Sequence, residues 1–394
     1  MKSILSLNAG SSSLKFAVFA ADGGGSLDPR LSGKVEKIGS APKLLIRASE
    51  EIIAEREWPD GADLTHEDLL DQVLTIIHDE PSVPDLVAVG HRVVHGGREH
   101  VAPVRVDEAL MDDLAVLGEL APLHQPHNLA GIRALADLLP ALPQIACFDT
   151  AFHQTMPEIA CRLPLPRRFD EIGMRRYGFH GLSYEWIARR LREIDPQAAA
   201  GRVIAAHLGN GASMCGMNDG RSVDTTMGFS ALDGLMMGTR CGSLDPGVVL
   251  YLVTRLGMCA EEVESMLYRD SGLLGVSGIA SDMRSLDESE APEAREAIAM
   301  FCWRATREAG ALAASLGGLD ALVFTAGIGE NSAPVRETIS DKLEYLGVAV
   351  DRAANRSGAT VISAPSSAVK VFVIPTDEER MIAQHTLAAV MRQA

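Results

Sequence analysis

The sequence predicts an α/β protein built from two copies of one lobe. Short apolar runs typical of strands alternate with amphipathic helical segments through the 394 residues. Two stretches also share one plan, in which a turn of small polar residues joins two strands. They begin at residues 4 and 203 and lie about 200 residues apart. This spacing indicates a duplicated lobe.

Composition excludes several classes of protein. Hydrophobic residues are 47% of the chain and charged residues 23%, which is ordinary for a globular protein and excludes a disordered one. The net charge of −17 would repel a phosphodiester backbone, and no local basic patch is apparent. We therefore expect no nucleic-acid partner.

The cysteines predict a reducing compartment. The six cysteines are never closer than 14 residues in sequence, so no CxxC metal or redox spacing exists, and we expect reduced core thiols. The apolar run after Met1-Lys2 is too short for a signal peptide, and no run of ~18 apolar residues supports a membrane span. These observations favour a soluble cytoplasmic protein without a membrane partner.

Hydrophobic periodicity predicts the first lobe in chain order. After the first hairpin, residues 31–58 alternate like further antiparallel strands, and apolar residues on one face predict a helix over 66–78. The remaining predicted elements are a strand at 86–89, a helix at 107–118, a proline-fixed loop at 121–128, a helix at 129–138 and a strand at 144–148.

The second lobe follows the same alternation. Its predicted elements are a helix at 182–194, the strand and turn at 203–213, a helix after Asp245, a long helix at 293–315, a strand at 321–325, a helix from about Pro334 to Gly347, a strand at 369–374 and a C-terminal helix.

The two glycine-bearing turns favour phosphate binding. Residues 8–13 read NAGSSS and residues 207–213 read HLGNGAS. Glycine allows the close backbone approach that lets amide N–H groups reach phosphate oxygens. An ordinary hairpin turn explains either one alone. No GxxxxGK[ST] occurs, and AGIGENS has Ser332 at the third glycine of GxGxxG. Gly327 and Gly329 nevertheless suit a loop lying flat against a purine.

Arg92 and Arg240 predict anion binding. Each stands beside glycines at the end of an apolar stretch, and guanidinium binds carboxylate or phosphoryl oxygens in a fork. Surface ion pairing is the alternative. Asp149, after a predicted strand, suits a magnesium ligand or proton acceptor, with a structural carboxylate as the alternative. His91 and His95 share a face only on a helix, and this segment looks like a strand, which disfavours zinc.

The acidic pair Glu378-Glu379 also has two interpretations. Thr376 and Glu379 have the spacing of a capping box, in which Glu379 only closes the start of a helix. Glu378 is not needed for that box and is free to hold a cation.

The chain resembles the acetate kinase family over nearly its whole length. Nine sequence motifs follow the family's pattern in the same order. They are NAGSSSLK (8–15), HRVVHGG (91–97), DTAFHQTMP (149–157), RRYGFHG (175–181), HLGNGAS (207–213), SVDTTMGF (222–229), MGTRCG (237–242), FTAGIGENS (324–332) and PTDEE (375–379).

The resemblance implies a two-lobed actin-like ATPase fold, which is ribonuclease H-like, with duplicated lobes and ATP in an interlobe cleft. It implies an N-terminal lobe over 1–149, completed by a helix at about 376–394, and a C-terminal lobe over 150–375 for nucleotide binding and dimerisation. The implied activity is a phosphotransferase with a carboxyl group as acceptor, an acetate kinase that reversibly transfers the γ-phosphoryl of ATP to acetate. The implied cofactor is Mg²⁺, or Mn²⁺ in its place, and the implied partner is a second copy in a homodimer.

The resemblance also assigns roles to residues by motif. The implied catalytic residues are Arg92, Asp149, His180 and Arg240, and the implied metal ligands are Asn8 and Glu378. The implied substrate pocket comprises Arg92, Val94, Leu123 and Phe179. The implied nucleotide site comprises Ser11, Ser13, Lys15, His207, Leu208, Gly209, Asn210, Gly211, Asp282, Met283, Arg284, Gly327, Ile328, Gly329, Glu330 and Asn331.

Three positions depart from the family pattern. Ala231 stands where the family usually has proline, Met283 where it has phenylalanine, and His127 where it has a small residue. A smaller Ala231 admits propionate more easily, because one methylene in such a pocket discriminates by only ~1–3 kcal/mol. Acetate is the expected substrate, with propionate or butyrate as alternatives.

Two other classes of function remain. A non-transferring actin-like or Hsp70-like ATPase would not need the strings at 91–97 and 175–181. A sugar or polyol kinase would need an Asp base and several hydroxyl-binding groups in place of Val94, Leu123 and Phe179.

Overall fold

A computed structural model describes residues 2–22, 25–49, 51–121 and 124–392. The chain forms two compact units. The first unit comprises Met1–Ala151 and Asp377–Ala394, and the second comprises Phe152–Thr376. The first unit is therefore built from two separate stretches of the chain.

Each unit contains one sheet. The strands of the first unit are β1 (Lys2–Ala9), β2 (Ser13–Ala21), β3 (Leu27–Glu36), β4 (Lys43–Ala48), β5 (Glu51–Glu57), β6 (Leu86–Val93), β7 (Val104–Arg105) and β8 (Gln144–Phe148). Those of the second are β9 (Arg202–Leu208), β10 (Ala212–Asn218), β11 (Arg221–Thr225), β12 (Ala321–Thr325) and β13 (Lys370–Val373).

The two sheets repeat one topology, which confirms the predicted duplication. The first has the order β5-β4-β3-β2-β1-β6-β8-β7 and the second β11-β10-β9-β12-β13. In each, the first two strands form an antiparallel hairpin, and the first strand pairs in parallel with a later strand. β8 and β12 are buried along their whole length, as expected for parallel strands covered on both faces.

Helices flank both sheets. In the first unit they are α1 (His66–Asp79), α2 (Glu108–Val116), α3 (Gln125–Leu138) and, from the end of the chain, α16 (Glu378–Met391). In the second unit they are α4 (Glu158–Cys161), α5 (Arg167–Glu171), α6 (Gly181–Ile194), α7 (Pro196–Ala199), α8 (Pro246–Thr254), α9 (Ala260–Arg269), α10 (Gly272–Ser277), α11 (Met283–Asp287), α12 (Pro292–Leu316), α13 (Ala326–Asn331), α14 (Ala333–Lys342) and α15 (Arg352–Arg356).

Local signals explain where the main helices begin and end. Thr65 and Asp68 form a capping box at the start of α1, whose apolar face packs into the core of the first unit. Pro292 occupies the first turn of α12, and Gly317 ends it with φ of 71°. Both helices confirm the predictions for 66–78 and 293–315. None of the described helices is long and apolar enough to cross a membrane.

Three local predictions were wrong. α3 begins at Gln125, with Pro126 in its first turn, so the segment before residue 129 is helical rather than a loop. The segment Ala326–Asn331 is the helix α13 and not a flat loop. Cys259 is an exposed thiol at the start of α9, whereas Cys147, Cys161, Cys215 and Cys302 are buried and Cys241 is half-buried.

Candidate functional site

In the first unit, three polar side chains lie where neighbouring parallel strands end. Asn8 lies near the end of β1, Arg92 near the end of β6, and Asp149 directly after β8. Nε of Arg92 donates to Oδ2 of Asp149 at 2.9 Å, and its Nη1 donates to Oδ1 of Asn8 at 3.2 Å. Functional groups of open α/β sheets gather at such strand ends. The structure thus brings these three predicted residues together.

The electrostatics of this cluster are dominated by carboxylates. The Asp149 side chain is 1% exposed, and its Oδ1 has no hydrogen-bond partner among the described residues. Burial raises the pKa of Glu378 to about 7, with Asp149 and Glu379 adding to the shift while Arg92 and Lys15 oppose it. Burial disfavours the charged form of Arg92, but Asp149 and Glu378 outweigh it and raise its pKa. The cluster therefore holds more carboxylates than cations.

Asn128 holds the backbone of this cluster and was missed by the sequence analysis. From α3, its Oδ1 accepts from the Val94 N–H at 3.0 Å and its Nδ2 donates to the Ala9 carbonyl at 2.6 Å. It is only 3% exposed. The loop predicted at 121–128 hid the signal, which is a polar residue on the buried face of an amphipathic helix. Val94, predicted in the substrate pocket, is buried beside it, whereas Leu123 lies outside the described residues.

The first glycine-bearing turn is a tight β-hairpin. Asn8 lies opposite Lys15 in the register, and the Gly10 N–H donates to the Ser13 carbonyl at 2.8 Å. Ser11 and Lys15 are exposed, and Ser13 is half-buried. Nε2 of His66 contacts the Gly10 carbonyl at 2.8 Å and fixes the turn from α1.

In the second unit, the matching hairpin carries a pair of stacked histidines. β9 and β10 pair with Leu208 opposite Ala212, which leaves residues 209–211 as the turn. The rings of His180 and His207 stack with centroids 4.2 Å apart. Nδ1 of His180 hydrogen-bonds Oγ of Ser213 at 2.8 Å. His180 itself has φ of 58°, so the imidazole is set at a left-handed position before α6.

Further polar groups fix the two imidazoles, and the sequence analysis did not identify them. Oγ of Ser183 hydrogen-bonds Nδ1 of His207 at 2.8 Å and also Oγ1 of Thr376 at 2.9 Å. The Tyr184 hydroxyl contacts Oγ of Ser213. Each histidine therefore keeps its Nδ1 engaged by a hydroxyl, which orients the ring.

Arg240 lies beside the same turn. Its Nη1 donates to the Ala231 carbonyl at 2.8 Å. A Cβ placed on Gly211 would lie 3.5 Å from Nε2 of His180 and 3.6 Å from Nη2 of Arg240, so these groups converge on the turn. A side chain on Gly238 would collide with Oδ1 of Asn210, and the Gly238 N–H donates to the Asn210 carbonyl at 2.9 Å. Only glycine lets these two loops approach so closely.

α13 is held by one carboxylate. Oε1 of Glu330 accepts from the Ala326 N–H at 2.8 Å and from the Thr376 N–H at 3.0 Å. Ala326 has φ of 63°, a strained value for a non-glycine residue. Nδ2 of Asn331 donates to the Gly327 carbonyl, so the turn closes on itself as a helix, which is why the flat-loop prediction failed. Ile328 and Gly329 are buried.

The segment at 282–284 has an evident structural role. Asp282 caps α11 by accepting from the Ser285 N–H at 2.9 Å, and this bond lowers its pKa. Met283 is buried and Arg284 is exposed. Phe179 is also buried, and its carbonyl accepts from Nε2 of His153 at 3.0 Å. The predicted nucleotide and pocket roles of these residues stay predictions.

The structure tests two local predictions about these motifs. His91 lies in β6 and not on a helix, and no group of three or more metal-ligating side chains occurs in the described part of the chain. The prediction that this segment is a strand is confirmed. The capping box at Thr376 is wrong, because Asp377 caps α16 by accepting from the Arg380 N–H at 3.0 Å. Glu379 is therefore not needed to close the helix.

Comparison with known proteins identifies the family. The family model described as the acetokinase family matches residues 3–384. An acetate kinase of Nitrobacter hamburgensis is 51% identical over 392 residues, which are 99% of this chain and 97% of that protein. An acetate kinase of Rhodopseudomonas palustris is 52% identical over 389 residues, 97% of each chain.

Solved structures agree. A propionate kinase from Francisella tularensis superposes with a TM-score of 0.91 at 37% identity, covering 98% of this chain and 100% of that one. An acetate kinase from Porphyromonas gingivalis gives a TM-score of 0.87 at 37% identity, covering 99% and 100%. The α/β architecture with two mixed sheets is that of these kinases, as the actin-like fold prediction required. The chain therefore belongs to the acetokinase family and is a kinase.

Proposed function

We propose that this protein is an acetate kinase that transfers the γ-phosphoryl of ATP to acetate, giving acetyl phosphate and ADP. The observation that carries the proposal is the pair of polar clusters at the two duplicated hairpins. Arg92 and Asp149 lie in one unit, and His180 with Arg240 in the other. In the proposed reaction, a carboxylate oxygen bonds to the γ-phosphorus as the bond to the ADP oxygen breaks.

The chemistry suits these residues. A phosphoryl group in transfer carries charge on its equatorial oxygens, so positioning and cations do most of the catalysis. Acetate is ionised at pH 7 and needs no general base. Arg92 and Arg240 offset the repulsion between the two anions, and Nε2 of His180 donates to the transferring group. Val94, Leu123 and Phe179 form the methyl pocket.

The remaining assignments concern the nucleotide and the lobes. Ser11, Ser13, Lys15 and the turn at 207–211 hold the phosphates, and residues 282–284 with 327–331 hold the adenosine. The lobe of residues 150–375 binds the nucleotide and dimerises, and the lobe of 1–149 with 376–394 supplies Arg92, Asp149 and the proposed metal ligands. We also propose that the protein is located in the cytoplasm.

Magnesium fits the first cluster. Asp149 offers a buried oxygen without a described hydrogen-bond partner, and Glu378 and Asn8 add a carboxylate and an amide oxygen. Such oxygen donors are the ones Mg²⁺ prefers, and Mn²⁺ accepts them also. When bound, the ion neutralises phosphate charge. Chelation of divalent ions should abolish turnover, and Glu378→Gln should raise the Mg²⁺ concentration needed for half-maximal activity by at least tenfold. An unchanged requirement would remove Glu378 from the ligand set.

The deciding assay measures ADP formation from ATP and Mg²⁺ with acetate, propionate, butyrate or glycerol, with hydroxylamine to trap acyl phosphate. We expect acetate to give the highest kcat/KM, with hydroxamate and ADP formed in equal amounts. ADP formation that ignores the carboxylate would indicate a non-transferring ATPase. Glycerol-dependent ADP formation would indicate a polyol kinase.

Propionate is the second candidate substrate. Arg240 is anchored to the carbonyl of Ala231, the position where the family usually has proline, so this small residue lies beside the proposed anion-binding group. The Francisella tularensis relative is named a propionate kinase. If Ala231 widens the pocket, Ala231→Pro should lower kcat/KM for propionate about tenfold more than for acetate. Equal changes for both acids would exclude this role.

An exposed apolar helix supports a homodimer. α8 has no buried residue in the single chain, with Leu250 63% and Tyr251 57% exposed. Contiguous exposed apolar surface of this kind marks protein interfaces. Leu250→Glu should convert a dimer to a monomer in light scattering, whereas Ile172→Glu, at the exposed apolar residue that follows α5, should not. A monomeric mass for the wild-type protein in light scattering would refute the proposed homodimer.

A further inference from the structure

A cavity of about 530 Å³ in the first unit is lined by cations from distant parts of the chain. We call it the basic pocket. Its described lining includes the cations Lys15, Arg30, Lys34, Arg47 and Arg380, and the acidic residues Asp377 and Glu379. The local excess of positive charge contrasts with the net charge of −17 on the whole chain.

The strand register places two of these cations against each other and a third on the next strand. Lys15 of β2 lies directly opposite Lys34 of β3, and Arg47 of β4 lies opposite Ser32 of β3. Like charges directly opposite on adjacent strands destabilise a sheet. Lys34 pairs with Glu36 at 2.7 Å, but Lys15 and Arg47 make no hydrogen bond or ion pair with any described residue. An anion bound at this face would relieve the repulsion.

One wall of the basic pocket is pre-organised. Nε of Arg380 donates to Asp377 at 2.9 Å, its Nη1 donates to the Leu27 carbonyl at 3.0 Å, and its guanidinium lies over the Phe19 ring at 5.4 Å. Phe19, Pro29 and Leu45 add apolar surface to the lining. Flexible lysines, a fixed guanidinium and apolar side chains together suit an organic molecule that carries several anionic oxygens.

We propose that the basic pocket binds a small organic polyanion, through phosphate or carboxylate oxygens, and that this ligand regulates the enzyme. The regulatory part rests on the proposed function, because Lys15 is there assigned to the ATP phosphates. Lys15 lines the pocket, so a bound polyanion engages it and raises the KM for ATP. Binding itself does not depend on that assignment.

Calorimetry on the full chain tests binding, with glycerol 2-phosphate, tricarballylate and inorganic phosphate as probes at one ionic strength. We expect an organic probe to bind with a Kd below ~1 mM, as two or more charge-assisted contacts allow. The double variant Lys34→Ala/Arg47→Ala should weaken binding at least tenfold. Arg133→Ala, an exposed arginine of α3 away from the pocket, should leave it unchanged. Comparison of the two organic probes distinguishes phosphate from carboxylate recognition.

Three outcomes would overturn the proposal: neither organic probe binds, the double variant binds as tightly as wild type, or Arg240→Ala abolishes binding while the double variant does not. The last would place the anion in the second unit. Without a probe, the double variant should keep wild-type kcat and KM. If the wild-type protein showed no kinase activity, the proposed function would be refuted, but the binding measured by calorimetry would still test the basic pocket.

Discussion

Arg92 and Arg240 perform different structural tasks although they were predicted on the same grounds. Arg92 neutralises a carboxylate that is almost fully buried, whereas Arg240 donates to a backbone carbonyl. The sequence identified both from neighbouring glycines and strand ends. It could not show their partners, because Asp149 and Ala231 are brought beside them only by the fold.

Substitution of these two arginines should therefore have different effects on protein stability but similar effects on catalysis. We expect Arg92→Ala and Arg240→Ala each to lower kcat by at least ~10², because each removes a cation that acts on the transferring group. Only Arg92→Ala should also lower the free energy of unfolding, by ~3 kcal/mol, because it leaves Asp149 charged and buried alone. Turnover assays and urea unfolding measure the two effects.

A double variant separates the effect on stability from the effect on catalysis. Arg92→Ala/Asp149→Asn removes the unpaired charge, so it should regain most of the lost stability while staying inactive. Near-normal turnover in either single variant would remove that arginine from the catalytic residues.

At the scale of elements, α13 shows where sequence patterns fail. Three small residues within Ala326–Gly329 suggested an open loop. The Glu330 side chain instead accepts from the Ala326 N–H, and this contact, with that of Asn331 to the Gly327 carbonyl, closes the segment as a helix. Propensity could not reveal this, because the same carboxylate also binds the Thr376 N–H, 46 residues further along the chain.

Removal of the Glu330 carboxylate should disturb this element. Glu330→Ala leaves the N–H groups of the buried Ala326 and the half-buried Thr376 without their acceptor, at about 1–3 kcal/mol for the first and less for the second. We expect a lower free energy of unfolding and a KM for ATP raised about tenfold, with the KM for acetate unchanged. Glu330→Gln keeps an acceptor oxygen and is the matched control. Equal effects on both KM values would contradict a role specific to the nucleotide side.

Asn128 offers a second test at this scale. It joins α3 to the ends of β1 and β6, so Asn128→Ala leaves the Val94 N–H and the Ala9 carbonyl unsatisfied. The expected loss of unfolding free energy is about 2–4 kcal/mol. Arg133→Ala on the exposed face of α3 should cost under ~0.5 kcal/mol. A mild effect of Asn128→Ala in urea unfolding would show that water replaces both contacts.

At the scale of the whole molecule, buried neutral histidines couple stability to pH in both units. Burial lowers the pKa of His91 in the first unit and of His153 in the second to about 4 from 6.5. Between pH 6.5 and 4 the unfolded chain binds protons at these sites and the folded chain does not. Stability should therefore be complete above pH 6.5 and fall as the pH drops to 4, by about 3 kcal/mol per histidine.

Urea unfolding at pH 7.5 and pH 5 checks this expectation. His153→Gln, which keeps hydrogen-bonding capacity but cannot titrate, should reduce the difference between the two conditions. A midpoint that does not change with pH in the wild type would contradict the pKa shifts.

The sequence predicted the class, the duplication and most elements, because these depend on periodicity and turn chemistry within short windows. It did not reveal the basic pocket, since Lys15, Arg47 and Arg380 are far apart in the chain and only strand pairing and the docking of α16 bring them together. For the same reason Ser183 and Asn128 escaped notice. Long-range geometry was the missing information in each case.

The return of the chain to its first unit sets an order of events during synthesis. α16 contributes Met381, Ile382 and Ala383 to the interior of that unit, and it begins at Glu378. The ribosome must therefore release more than 370 residues before the eight-stranded sheet receives its last helix. The second unit is one continuous stretch and can finish folding earlier. Until α16 has been synthesised, one face of the sheet in the first unit lacks this helix. During that interval the exposed apolar surface is available to chaperones.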